Sequence, residues 1–279
     1  MGAWKHAPVL LANKACAYYN RKKQNGDREY TVGGLRMVDV AMLTKRGGRD
    51  HNEDYIRKAV YEEQLCLVLC DGLGGHACGE IASALVSESI VQAFEKKGYY
   101  ADFFKDAMEQ AQKELLEEQV RRDLRNSMKT TVVVLVITPE LIQWAHIGDS
   151  RLYRIYDNGT KYQRTRDHSL VQILSDTGEI KESEIRTHEE RNKLLRAMGA
   201  QWGTKTYDIS AVIERGETQA FALMTDGFWE YVYEEEMLAT LKETSSAQAW
   251  LDAMEKYVLK RADMTKTDNY SAIVVRVEE

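Results

Sequence analysis

The sequence predicts an α+β fold built around a sandwich of antiparallel sheets. Three observations carry this prediction: strand-like segments follow one another in groups, long helical patterns separate the groups, and a tight hairpin joins two of the strands. A parallel sheet would instead alternate single strands with helices. The 279 residues, 44% of them hydrophobic, include only 2 prolines and no internal repeat. We therefore expect one domain with a sizeable core.

The first half of the chain supplies three strands and two helices. Residues 1–33 are interpreted as a polar N-terminal extension, and residues 34–279 as the folded domain. Short apolar or alternating runs predict strands in RMVDVAML, DYIRKAVY and QLCLVLC. Apolar residues on one side of residues 79–97 predict a helix, and residues 101–126 form a second, amphipathic helical pattern.

The second half returns to strands and ends in a helical region and a final strand. The β-branched run TTVVVLVIT and the following QWAHIG predict two strands, and RLYRIYDNGTKYQRT predicts a hairpin around Asp157-Asn158-Gly159. Residues 167–200 are polar and are expected to form helices and turns. Strands are expected again at about 205–213 and in AFALMT, a helical region at 228–262, and a last strand in SAIVVRV.

Composition excludes several classes of function. The formal net charge is −6, from 44 acidic and 38 basic residues, so the chain lacks the basic surface that binds nucleic acid or anionic membranes. Four cysteines in so long a chain do not form a disulfide scaffold. No apolar stretch approaches the ~20 residues of a membrane span. We expect a cytoplasmic monomer without nucleic-acid or membrane partners.

Acidic residues recur where the predicted strands begin or end. Taken singly, an aspartate before glycine is ordinary turn chemistry. If these ends converge, their carboxylates repel one another unless cations compensate them. An all-oxygen set favours Mg²⁺ or Mn²⁺, and several carboxylates can hold two such ions. The candidate ligands are Glu53, Asp54, Asp71, Asp149, Asp226 and Asp268.

An arginine close to these acids adds the complementary charge. Arg49 stands in RGGRDHNED, a few residues before Glu53. A guanidinium in such a turn can bind phosphate through paired hydrogen bonds. The alternative interpretation is a solvated surface arginine.

The motifs together resemble a known family. RDHNED, LCDGLGGHACGE, KTTVVVLVI, HIGDSRLYRI, DHSLVQIL, LLRAMG, LMTDGFWE and TDNYSAIVV occur in an order that resembles the metal-dependent serine/threonine phosphatases of the protein phosphatase 2C type. The versions DGLGGH, GDSRLYR and DHSLV are most similar to the bacterial branch. The resemblance covers about residues 35–277. It implies a central β-sandwich flanked by helices on both sides, in four layers ordered α-β-β-α.

The resemblance also implies roles for individual residues. Asp71 would bridge two Mn²⁺ or Mg²⁺ ions, and the carbonyl of Gly72 would bind one of them. Asp226 and Asp268 would complete the other ion's ligands. Glu53 and Asp54 would bind metal directly or through water, and Asp149 with Asp226 would hold a third, weaker ion. Arg49 would bind the substrate phosphate, and Asn269, next to Asp268, would have a supporting role.

The implied reaction is hydrolysis of phosphoserine or phosphothreonine in proteins, by a bridging water activated by the two metals. Such an enzyme opposes a serine/threonine kinase, and residues 167–200 match a mobile flap beside the active site. His76 is either the general acid or a residue that packs or caps the following helix. The alternatives are a catalytically silent member that binds phosphoproteins or acts as a scaffold, and another two-metal hydrolase such as a phosphodiesterase. Retention of Asp71, Asp226 and Asp268 favours the active phosphatase.

Overall fold

The computed structural model describes residues 38–74, 78–125, 127–204, 206–215 and 218–277. The predicted N-terminal extension, residues 1–33, and His76 lie outside the described residues. The strands are β1 (Val38–Lys45), β2 (Asp54–Tyr61), β3 (Gln64–Leu73), β4 (Lys129–Thr130), β5 (Val132–Ile137), β6 (Leu141–Ile147), β7 (Arg151–Tyr156), β8 (Lys161–Arg164), β9 (Asp208–Ile209), β10 (Ile213–Glu214), β11 (Thr218–Met224) and β12 (Tyr270–Val277). The helices are α1 (Cys78–Lys97), α2 (Phe103–Arg122), α3 (Leu170–Asp176), α4 (Asp226–Trp229), α5 (Glu234–Glu243) and α6 (Ala247–Arg261), with a 3₁₀ helix at Glu182–Thr187.

The strands form two antiparallel sheets. One has the order β1-β12-β11-β7-β8, and the other has the order β10-β6-β5-β3-β2, with β4 and β9 paired to β3 and β6. Strands adjacent in sequence, such as β2 and β3 or β5 and β6, pair directly through short connections. This is the arrangement expected from consecutive strand-like segments.

Three apolar layers hold the sheets and helices together. Leu67, Leu69 and Phe221 belong to the layer between the two sheets. On the outer face of the β3 sheet, Val68 belongs to the layer packed against α1 and α2, while α5 and α6 cover the other sheet. Because β3 is buried on both faces, its sequence is a continuous apolar run rather than an alternation. The predicted four-layer α-β-β-α sandwich is confirmed.

Two predicted segments differ in detail from the structure. The predicted helical region 228–262 is divided into the end of α4, then α5 and α6. The second break lies before Ser246, whose hydroxyl accepts a hydrogen bond from the N–H of Ala249 and thereby starts a new helix. Between 205 and 213 the described residues contain only the two-residue strand β9 and the start of β10. None of the described helices combines the length and apolar character that a bilayer span requires.

Candidate metal centre

One end of the sandwich collects the acidic residues. In the first sheet, Met224 at the end of β11 pairs with Ala272 near the start of β12 and with Arg151 at the start of β7. Antiparallel pairing therefore brings together the residues that follow β11 and those that precede β7 and β12. These residues are Asp226, Asp149 and Asp268.

The second sheet adds two more carboxylates. Asp54, the first residue of β2, lies directly opposite Asp71 of β3 in the strand register. The negative charges of Asp226, Asp149 and Asp268 from the first sheet all raise the pKa of Asp71, so the acids of the two sheets meet. The structure thus brings the predicted acids into one cluster.

Burial and mutual repulsion raise the pKa values of these carboxyls. Burial is the main cause for Asp54, whose pKa rises to about 8 with further contributions from Asp226 and Asp268. The pKa of Asp226 rises to about 7, through burial and then the negative charges of Glu230 and Asp268. The pKa values of Asp71 and Asp149 lie well above their usual range for the same two reasons. Like charges held this close are costly unless protons or cations neutralise them.

The two carboxylate oxygens of Asp54 differ in their hydrogen bonding. Its Oδ2 accepts hydrogen bonds from Ser271 Oγ at 2.7 Å and Thr225 Oγ1 at 3.1 Å. Its Oδ1 is buried and has no hydrogen-bond partner, although an unpaired buried polar atom costs about 1–3 kcal/mol. Oxygen ligands with excess negative charge match Mg²⁺ or Mn²⁺. The residues present therefore fit the divalent ions that the sequence implies.

Backbone contacts fix the position of Asp71 and Gly72. The N–H of Asp71 donates to Thr131 Oγ1 at 3.0 Å, and the N–H of Thr131 donates to the Asp71 carbonyl at 2.8 Å. The N–H of Gly72 donates to the Glu53 carbonyl at 3.1 Å. A Cβ atom on Gly72 would lie 2.3 Å from the carbonyl oxygen of Gly79. Only glycine allows α1, β3 and the start of β2 to approach this closely.

Asn269 fastens the loop that precedes β2. Its Oδ1 accepts from the N–H of Glu53 at 2.8 Å, and its Nδ2 donates to the carbonyls of Arg46 and His51 at 2.7 and 2.8 Å. The pKa of Glu53 is raised by burial and by the charge of Asp268. The predicted supporting role of Asn269 thus has a physical basis in the position of Glu53.

Arg49 lies at the rim of the acidic cluster. Its Nη2 contacts Asp268 Oδ2 at 2.6 Å, and the two side chains are 58% and 43% exposed. An exposed guanidinium beside a buried acidic cluster is accessible to a phosphate in solvent. The geometry is compatible with the predicted phosphate contact.

Comparison with known proteins identifies the family. A family model described as protein phosphatase 2C matches residues 45–266. The chain belongs to the protein phosphatase 2C family. The serine/threonine phosphatase stp of Listeria welshimeri is 31% identical over 243 residues, which cover 83% of this chain and 93% of the relative.

Solved structures of the protein phosphatase 2C fold agree with this result. The serine/threonine phosphatase Stp1 from Staphylococcus aureus superposes with a TM-score of 0.78 at 27% identity, covering 91% of this chain and all of that one. The catalytic domain of the phosphatase PstP, solved in complex with 2 manganese ions, gives 0.72 at 24% identity, covering 87% and 99% of the two chains. The predicted class, a bacterial-type metal-dependent serine/threonine phosphatase, is confirmed.

The segment predicted to be a flap of this phosphatase, residues 167–200, is joined to the site by ion pairs. Asp167 binds Arg151 through two hydrogen bonds of 2.9 and 2.7 Å, and Arg191 Nε contacts Glu230 Oε1 at 2.6 Å. Asp167 and His168 are buried, so the segment is less uniformly solvent-facing than its polar composition suggests. The flap itself stays a prediction.

Sequence reasoning missed several residues that shape the site. Thr225 and Ser271 bind Asp54, Thr131 holds Asp71, and Glu230 raises the pKa of Asp226. Thr225 and Ser271 stand in the motifs MTDG and TDNYS, which also contain Asp226 and Asp268, whereas Thr131 stands in KTT, which contains no acid. A hydroxyl within a few residues of a strand-end aspartate is the signal that could have identified Thr225 and Ser271.

Proposed function

We propose that this chain hydrolyses phosphoserine and phosphothreonine in proteins at a two-metal Mn²⁺ or Mg²⁺ site. The observation that carries the proposal is the buried cluster of Asp54, Asp71 and Asp226. One carboxylate oxygen of Asp54 has no hydrogen-bond partner, and no cationic side chain is among the described contacts of Asp54. Divalent ions bound there would supply a water of lowered pKa and would offset the charge of the phosphoryl oxygens.

The chain's own residues would divide the remaining tasks. Asp71 would contact both ions, the Gly72 carbonyl one of them, and Asp226 with Asp268 the other. Glu53 and Asp54 would bind directly or through water, and Asp149 would serve a weaker third ion. These assignments are supported by the convergence of the carboxylates and the raised pKa values of Asp71, Asp149 and Asp226.

Arg49 would orient the substrate phosphate at the rim. Its guanidinium would exchange the contact with Asp268 for a phosphate when the acid binds metal, because phosphate offers a better bidentate acceptor. The physiological substrates would be phosphoproteins made by a cognate serine/threonine kinase. Cys66 and Cys70 are buried and form no disulfide, which supports the expected cytoplasmic location.

The test is hydrolysis of para-nitrophenyl phosphate with Mn²⁺, with a chelator, and by Asp226→Asn. We expect activity only with metal and a loss of at least about 100-fold in the variant, since Lewis-acid stabilisation is worth several kcal/mol and each 1.4 kcal/mol is tenfold. Asp252→Asn is the control, because this α6 aspartate is exposed. Turnover without metal, or full activity in Asp226→Asn, would refute the proposal, and metal binding without turnover would indicate a silent phosphoprotein-binding or scaffold member.

A further inference from the structure

A second polar cluster lies beside the acidic one. The rings of His146 and His168 stack with centroids 4.6 Å apart, and potential ligand atoms of these residues and Asp208 lie within 4.8 Å of one another. The N–H of Gly148 donates to Nδ1 of His168 at 3.2 Å, and Nε2 lies 3.0 Å from Asp208 Oδ2. A neutral imidazole that accepts at Nδ1 carries its proton on Nε2. Nε2 is then a donor to Asp208 and is not available as a metal ligand.

His168 instead binds both polar groups of one glycine. Besides accepting from the Gly148 N–H through its ring, its own backbone N–H donates to the Gly148 carbonyl at 2.9 Å. Burial and the neighbouring His146 lower the pKa of His168 to about 4, so the ring is neutral and can accept. The two hydrogen bonds fix the orientation of the peptide groups on either side of Gly148.

Gly148 connects this pair of hydrogen bonds to the metal centre. It precedes Asp149 and has a φ of +105°, which favours glycine. A Cβ here would lie 2.6 Å from Thr131 Cγ2, and Thr131 is the residue that holds the backbone of Asp71. A displacement of Gly148 would therefore move Asp149 directly. It would also displace Thr131, which holds the backbone of Asp71.

We propose that His168 is a positioning residue that holds Asp149 in its metal-binding position by fixing both peptide groups of Gly148. Asp208 orients the ring by accepting from Nε2–H, and Asp208 is itself bound by Arg196 Nη1 at 3.3 Å. The proposal rests on the proposed function, in which Asp149 binds the weaker third ion. Outer contacts of this kind change metal affinity about 10- to 100-fold when they are removed.

The test compares two substitutions that keep different parts of the ring's contacts. In His168→Asn the amide oxygen can occupy the place of Nδ1 and accept from Gly148. In His168→Gln the amide lies near the place of Nε2, so the contact with Asp208 remains and the one with Gly148 is lost. Titration with Mn²⁺, with free metal measured by electron paramagnetic resonance, should show the weakest ion bound roughly tenfold or more weakly by His168→Gln. His168→Asn should bind this ion within about threefold of the wild type.

A double-mutant cycle separates positioning from general structural support. In the Asp149→Asn background, His168→Gln should cause no further loss of manganese affinity, because residues that act through one another are not additive. Thermal unfolding checks that each variant folds. If His168→Gln does not fold, Asp208→Ala replaces it, since the Asp208 side chain is 54% exposed, and it should weaken the same ion to a smaller extent.

Each remaining outcome overturns the proposal. Equal affinities for His168→Gln and His168→Asn, unchanged affinity in Asp208→Ala, or additive losses with Asp149→Asn would show that His168 does not act through Asp149. Wild-type manganese binding by Asp149→Asn would remove the third-ion assignment and this proposal with it. The two-metal function is tested separately by Asp226→Asn.

Discussion

Two buried aspartates of the same domain are treated in opposite ways. Asp167 is met by the guanidinium of Arg151, which donates two parallel hydrogen bonds and stacks 3.5 Å above the ring of Trp229. Asp54 is equally buried, yet its partners are two neutral hydroxyls, its neighbours are other acids, and one of its oxygens is unpaired. The fold neutralises one carboxylate with a guanidinium and leaves the other without a cation. A buried acid without a cation is the physical mark of the proposed metal centre.

The largest effect on stability should follow from removing Arg151, the cation that binds Asp167 through two hydrogen bonds. Arg151→Met leaves the buried Asp167 carboxylate with only a longer contact of 3.5 Å to Arg164 Nη1 and should lower the free energy of unfolding by about 3–5 kcal/mol, measured by urea denaturation. Arg166→Met is the matched control, because Arg166 forms an exposed ion pair with Asp176 and should cost less than about 1 kcal/mol. Equal losses in both variants would show that burial does not distinguish the pairs.

The acidic cluster should make the metal-free protein less stable as pH rises. Asp54 and Asp226 have folded-state pKa values of about 8 and 7, so between about pH 6.5 and 8, where His146 and His168 are largely neutral in both states, the folded state binds more protons than the unfolded state. The free energy of unfolding must then fall with pH, by at least about 1.4 kcal/mol since each pKa unit is worth that much. Urea unfolding in chelator checks this.

Manganese should reverse that trend. At about 100 times its dissociation constant, a bound ion adds about 2.7 kcal/mol to the free energy of unfolding. The gain should be larger at pH 8 than at pH 5, because protons compete with the metal for the same carboxylates. A flat pH profile in chelator would contradict the assigned repulsion among the acids.

The smallest effect on stability should come from the exposed ion pair at the rim. Arg49→Lys should change the free energy of unfolding by less than about 1 kcal/mol, since the Arg49–Asp268 pair is solvent-accessible. The same variant should lose roughly tenfold in kcat/KM, because lysine cannot bind phosphate bidentately. Steady-state kinetics measures the loss, with Arg46→Lys as the control. Unchanged kcat/KM would remove Arg49 from substrate binding.

Much of the fold and of the acidic site could be predicted because both depend on local sequence. The continuous apolar run of β3 predicts a strand buried on both faces, and Asp71 marks its end. Antiparallel pairing of β2 with β3 then brings Asp54 opposite Asp71. The turn at Asp157 was equally predictable, since its left-handed φ of 55° suits a hairpin.

The rest depends on contacts between residues far apart in sequence. No local pattern shows that Asp54 Oδ1 stays unpaired while Ser271, 217 residues away, binds Oδ2. Asp167 and His168 are polar residues in a polar segment, so their burial follows only from their partners Arg151 and Gly148. The sequence therefore predicts where the acids gather, and the structure shows which of them lack a cation.

The most direct test of the metal centre is calorimetric titration of Mn²⁺ into the wild type and into Asp71→Asn. The pKa of Asp71 is raised by the negative charges of four other acids, Asp54, Asp226, Asp149 and Asp268. We expect the wild type to bind two ions tightly and the variant to lose tight binding of both. Identical manganese binding by the two proteins would contradict the account.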